Sequence, residues 1–213
     1  MKRMNFIVLV VAALMTLPVQ ASLIINGSFE GSIGSEWGFT DASGPSSIET
    51  AGSNYGGVAS IDGRHIELHG SGSPTYTLWQ TFATSAGVNY MFDFAYIARG
   101  DIPVTQMFRI EILNAANNAV LFTQDVLNDN KTAWTYFSSV FNNQFTATST
   151  MSTLRVTSLL PDANAPSWYA TGGNHLDLFS AAVAPASVSE PSLLAVFALA
   201  LVAMVRRSKA KKA

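Results

Sequence analysis

Residues 90–98 read Tyr90-Met91-Phe92-Asp93-Phe94-Ala95-Tyr96-Ile97-Ala98, and this stretch decides the fold. Tyr90, Phe92, Phe94 and Tyr96 recur at every second position, with Asp93 between them. In an extended chain successive side chains point to opposite faces, so four rings share one face and the carboxylate looks away. Shorter runs with β-branched and aromatic residues recur on both sides, at 23–25, 65–68, 75–82, 107–113, 120–126, 133–141, 153–159 and 175–183. Between them, 70–74, Ala86-Gly87, 114–118 and 128–131 carry the Gly, Pro, Asn and Asp that favour tight turns. Residues 31–63 are rich in Gly, Ser and Asn and read as a long loop. There is no internal repeat and no amphipathic helix. Nine short, punctuated strands predict an all-β chain folded as a single β-sandwich.

Both ends of the chain are of a different kind. Lys2 and Arg3 precede an apolar stretch at 6–17, and Pro18-Val19-Gln20-Ala21 follows, with small residues placed for cleavage before Ser22. Residues 1–21 therefore read as a secretory signal peptide. At the other end Ser189-Glu190-Pro191-Ser192 leads into an uncharged apolar run at 193–205, closed by Arg206, Arg207, Lys209, Lys211 and Lys212. As a helix the run reaches about 20 Å, short of the roughly 30 Å hydrocarbon core. It suits a segment held in the membrane by a basic cytoplasmic clamp until it is cut, with an ordinary tail anchor as the alternative.

This leaves one domain, 22–187, long enough for a real core. It holds five of the 12 basic residues and 13 of the 14 acidic ones, a net charge of −8 where the whole chain has −2. So acidic a body is a poor partner for nucleic acid or anionic lipid, and suits calcium or neutral glycans. The chain has no cysteine, which excludes disulfides and thiol chemistry.

No catalytic motif stands out. No serine lies in a Gly-x-Ser-x-Gly elbow, and there is no His-Glu-x-x-His. His65 and His69 would share a strand face but sit about 13 Å apart, too far for one metal. A glycosidase stays open only because its two carboxylates can be distant in sequence. Among the aromatics, Phe82, Tyr90, Phe92, Phe94, Phe108, Trp134 and Phe141 fall in strand patterns and are expected in the core. The direction of Trp79 is ambiguous. Trp37, Tyr55, Trp168 and Tyr169 lie in turn-rich stretches where nothing in the pattern buries them. Flat rings of that kind stack on sugar C–H patches. Pro166-Ser167-Trp168-Tyr169 is the best such group, with Asn164, Asn174 and His175 as polar partners; the alternative is that these rings cover the sandwich edge.

The tail resembles the PEP-CTERM sorting signal, in which a Glu-Pro motif, an apolar segment and an Arg-rich end are read by the membrane protease exosortase. Residues 188–213 carry that pattern through Glu190, Pro191, Arg206 and Arg207, with Ser189 where the usual motif has its first Pro. The body, opening with Asn26-Gly27-Ser28-Phe29-Glu30 and closing with Leu176-Asp177-Leu178, resembles galactose-binding-like jelly rolls and several carbohydrate-binding modules. The resemblance implies one structural calcium ion where the first strand meets the last, and Glu30 and Asp177 occupy those positions. It also implies an exported protein, transiently anchored in the inner membrane and then at the cell surface or outside it. There it would bind extracellular polysaccharide in biofilm or floc without catalysis. The alternatives are a structural or adhesive module that binds protein, and an enzyme acting on the same polymer.

Overall fold

A computed structural model of the chain describes residues 21–31, 33–41, 50–52, 56–68, 76–101, 105–159 and 173–185. These residues form two antiparallel sheets packed face to face. One takes β1 (Gly38–Asp41), β4 (Tyr76–Ala83), β10 (Met151–Leu159), β6 (Gln106–Asn114) and β7 (Val120–Asn128), side by side in that order. The other takes β2 (Thr50–Ala51), β3 (His65–Leu68), β11 (Asn174–Val183), β5 (Asn89–Ala98) and β8 (Thr135–Tyr136), with β9 (Gln144–Thr146) also paired to β5. The expected β-sandwich is therefore present.

The core lies between the sheets and follows the period of two. Tyr90, Phe92, Phe94 and Tyr96 of β5 all point inward, as their spacing requires, against Leu78 and Phe82 of β4, Phe108, Ile110 and Ile112 of β6, and Leu154 and Val156 of β10. Asp93 points out and binds the Ser138 backbone N–H at 2.9 Å. Rings fill much of the layer: Phe94 stacks on Phe179 at 4.9 Å and on Phe137 at 5.0 Å between centroids. Aromatic pairs at these separations add to the stabilisation from area burial alone.

Four expectations are corrected. The stretch 31–63 is not all loop, since β1 and β2 lie in it. The expected strand at 133–141 is a two-residue strand followed by a 3-10 turn, Phe137–Ser139, which brings Phe137 and Phe141 onto one side with ring centroids 5.0 Å apart. Residues 23–25 are not a strand. Leu23 donates to the Ala181 carbonyl at 2.7 Å, while the Gln80 side chain binds both backbone groups of Ile25, at 2.7 and 2.9 Å. A buried amide thus satisfies an edge that has no ladder partner. Trp134 is not core: it is half-buried outside the sandwich, edge-on to His65 at 5.6 Å, and its Nε1 donates to the Ala59 carbonyl.

One irregularity sets the geometry of the sandwich end. The register of β11 on β5 shifts between Asp177 and Ser180, and Leu178 has φ of +56°. A left-handed conformation is costly for so bulky a residue. The bulge re-phases the strand: Leu176 points inward, Asp177 outward, and Phe179 inward again.

Candidate functional site

The outer face of the five-stranded sheet carries side chains in straight cross-strand rows. One row runs Thr40, Thr77, Thr157, Arg109, Asp125; the next runs Gly38, Trp79, Arg155, Glu111, Thr123. A third begins with Thr81 and Thr153. The threonines pair across strands, Thr81 with Thr153 at 2.8 Å and Thr77 with Thr157 at 3.3 Å between hydroxyl oxygens. Such pairs suit a pleated surface and keep hydroxyls on it. An open hollow of about 600 Å³ runs over these rows from Thr40 to Asn118, with Trp79 and Arg155 in its lining.

Trp79 is the aromatic centre of this face and is half-buried. Its indole leans across β1 into space that only glycine leaves open. A Cβ on Gly38 would lie 2.3 Å from Cε2 and 2.5 Å from Nε1 and Cζ2. The face is nearly neutral. Arg155 is held by Glu111 at 2.8 Å, and Arg109 grips both oxygens of Asp125 at 2.5 and 2.8 Å. The Arg109 guanidinium holds the Asp125 carboxyl below its usual range. A ring among hydroxyls and paired arginines can stack on an apolar patch of a ligand and bond its rim.

A second constellation forms where residues 26–30 meet β11. Gly27 accepts the Phe179 N–H at 2.9 Å, and a Cβ on Gly27 would lie 1.9 Å from the Phe179 carbonyl oxygen, so only glycine fits. Asn26 and Phe29 both have positive φ, and Phe29 is fully buried. The turn leaves Glu30 at the surface, where it accepts the Arg64 N–H. Asp177 is fully buried; its Oδ1 accepts the Leu178 N–H at 2.7 Å, and its Oδ2 accepts no hydrogen bond. Burial first, then Asp62 and the Glu30 charge, push the Asp177 carboxyl up to about 8.

Asp62 and Glu30 thus act on Asp177, which keeps one buried oxygen left over. That all-oxygen set is the chemistry of a hard cation such as calcium. Among the described residues no three acidic or imidazole side chains are already drawn into metal-binding spacing. Backbone carbonyls of the 26–30 turn and the bulge would have to complete a shell. The residues present fit the ion in kind.

Part of the outer face of the six-stranded sheet, around β3 and the start of β11, is closed. His65, Glu67, His175 and Asp177 point outward there yet are fully buried. Arg99 lies over them, bound to Glu67 at 2.7 Å and to Asp101 at 2.6 Å. His65 and His175 are edge-to-face at 4.7 Å, and both ring nitrogens of His65 lack a hydrogen-bond partner. Burial lowers both imidazoles, His175 to about 3.

The residues singled out from sequence fare unequally. Trp37 is corrected: it is 4% exposed, packed on Phe29 and Phe179 at 5.3 and 5.4 Å, and its Nε1 donates to the Ile25 and Asn26 carbonyls. The bulge that turns Phe179 inward builds its pocket, so Trp37 has no face for a sugar. Asn174 is also buried and accepts from the Asn128 side chain at 3.0 Å. His175 is enclosed as described, which removes both as surface partners. Glu30 and Asp62 act on the Asp177 carboxyl, but among the described residues no three such side chains stand at metal-binding spacing. Trp168, Tyr169, Glu190, Pro191, Arg206 and Arg207 lie outside the described residues, as does the apolar run 193–205. Among the described residues no helix is long and apolar enough to cross a membrane. Trp79 was missed although its signal was present. Thr77 and Thr81 share its parity, whereas Tyr76, Leu78 and Phe82 share the other.

No known family model and no curated protein matches the chain. Solved structures do. A family 61 carbohydrate-binding module, in complex with β-1,4-galactotriose, superposes with TM-score 0.53 at 12% identity over 78% of this chain and 100% of that one. The tandem CBM22-1–CBM22-2 domain of Paenibacillus barcinonensis Xyn10C gives 0.53 at 13% identity, over 79% of this chain and 51% of that one. The enzymatically active domain of bacteriophage CBA120 tailspike protein 4 gives 0.50 at 12% identity, over 76% and 21%. At such identities the likeness establishes the fold: the body has the jelly-roll β-sandwich of carbohydrate-binding modules.

Proposed function

We propose that this protein is a non-catalytic glycan-binding module whose platform is the outer face of the five-stranded sheet. The observation that carries the reading is Trp79, half-exposed over Gly38 amid hydroxyl-bearing rows in an open hollow of about 600 Å³. A module of the same fold that holds a galactotriose supports it. The described lining of this hollow contains no carboxylate, and Glu111, in the same cross-strand row, is tied to Arg155, which favours holding a chain over cleaving it. Trp79→Ala should weaken binding to the best ligand of a glycan array by roughly thirtyfold, about 2 kcal/mol, with an unchanged melting temperature. Equal binding by the variant would sink the reading. Binding to protein partners with a blank glycan array would instead favour a structural or adhesive module.

Calcium belongs to the same proposal. Glu30, Asp62 and Asp177 would hold one ion, clamping the 26–30 turn to β11. The buried, unsatisfied Oδ2 of Asp177 favours it. The chain ends carry the remainder: export by residues 1–21, exosortase processing near Glu190-Pro191, and release from the inner membrane to a polysaccharide matrix in biofilm or floc. The intact mass of the native protein tests this part. A species from Ser22 to about Glu190 agrees with it, and one retaining Lys212 in the inner membrane refutes it.

A further inference from the structure

The charge pattern around Trp79 narrows the ligand, an inference that rests on the glycan-binding reading. Arg109 and Arg155 are both neutralised by carboxylates, so the sheet face offers no net positive charge to a uronate or sulfate ester. Across β1 the same tryptophan also lines a second hollow of about 340 Å³, together with Ile25, Ser35 and Glu36. Ile25 is 64% exposed, and its backbone is pinned by the Gln80 amide, so it stands as a fixed apolar wall. Glu36 is half-buried; its Oε1 accepts the Gly34 N–H at 3.3 Å, and no described cation pairs with it.

An indole, an aliphatic wall and a carboxylate without a counter-charge are the groups that recognise an alkylammonium. The ring quadrupole and the carboxylate both attract the cation, and the apolar wall covers the carbons that bear it. The body's net charge of −8 draws such a ligand in from a distance. We propose that the face selects a polysaccharide with free amino groups, a de-N-acetylated hexosamine polymer. One ammonium would sit between Glu36 and Trp79 while the neighbouring sugars run over the threonine rows.

The test uses the purified protein and calorimetric titration at low salt and mildly acid pH, which keeps the amine protonated. The probes are a glucosamine hexamer, its fully N-acetylated counterpart and a neutral glucan hexamer. The glucosamine hexamer should bind about tenfold more tightly than either of the others, and added salt should erase the advantage. Glu36→Gln should abolish the preference. Asp129→Asn, at an exposed acid outside both hollows, should keep it. A preference that survives Glu36→Gln, or that Asp129→Asn reduces equally, overturns the inference, as does equal or weaker binding of the glucosamine hexamer. If a neutral glycan still binds and Trp79→Ala abolishes that, the glycan-binding reading stands without it. A blank glycan array removes both.

Discussion

Replacing Asp177 with asparagine separates a carboxylate that merely burdens the fold from one that waits for a cation. In the folded chain its pKa is about 8 against an ordinary 3.8, so between those values the folded state keeps a proton that the unfolded state has lost. Folded stability therefore declines as pH rises through that window, by about 1.4 kcal/mol per pH unit. The histidines act in the opposite sense, but only below their ordinary 6.5, because above it both states are neutral. From pH 6.5 to 8 Asp177 thus stands clear of them, and the decline is about 2 kcal/mol. For a domain of this size that lowers the melting temperature by roughly 4–8 °C. Thermal unfolding in EDTA should show this slope, and Asp177→Asn should flatten it. Millimolar calcium should raise the wild-type midpoint and remove the slope, because a bound ion keeps the carboxylate charged, while the variant should not respond. A wild-type midpoint flat across this range in EDTA would refute the account of Asp177. Indifference to calcium would refute the ion.

The remaining expectations are brief. Gly38→Val should displace the Trp79 indole, since even a Cβ there would meet the ring at 2.3 Å; glycan affinity should drop by about tenfold or more in the same titration. Trp37→Ala should cost about 3–5 kcal/mol in urea unfolding and leave glycan affinity intact in whatever fraction remains folded. Because burial lowers His65 and His175, unfolded chains bind more protons below 6.5, and in the Asp177→Asn variant, where the opposing carboxyl is gone, stability should decline as pH falls towards 3. His175→Phe should reduce that acid slope, as read from urea midpoints at successive pH values.

Much of the fold was legible because parity is a local property. The four rings of β5 and the alternation in β4, β6 and β10 each declare an inner and an outer face from neighbouring residues alone. Asn26-Gly27-Ser28-Phe29-Glu30 was also legible as a unit, and the structure supplies its reason. Gly27 must admit the Phe179 carbonyl, Phe29 must enter the core, and Glu30 must stay out. What failed was anything decided by a distant segment. Trp37 looked free because its own neighbours are small and polar, yet residues far along the chain bury it. Trp134 looked internal from its strand-like context, but that strand ends after Tyr136.

The sequence by itself determined an all-β body and its strong acidity once the basic ends are set aside. These follow from composition and from a period of two, which need no partner. Only the tertiary structure decided that Trp79 lies over Gly38, that Trp37 is buried, and that Asp62 and Glu30 act on Asp177. Each depends on which strands lie side by side and on a bulge at Leu178 that shifts the phase of β11. Register and bulges arise from contacts between segments far apart in the chain, which local periodicity does not encode.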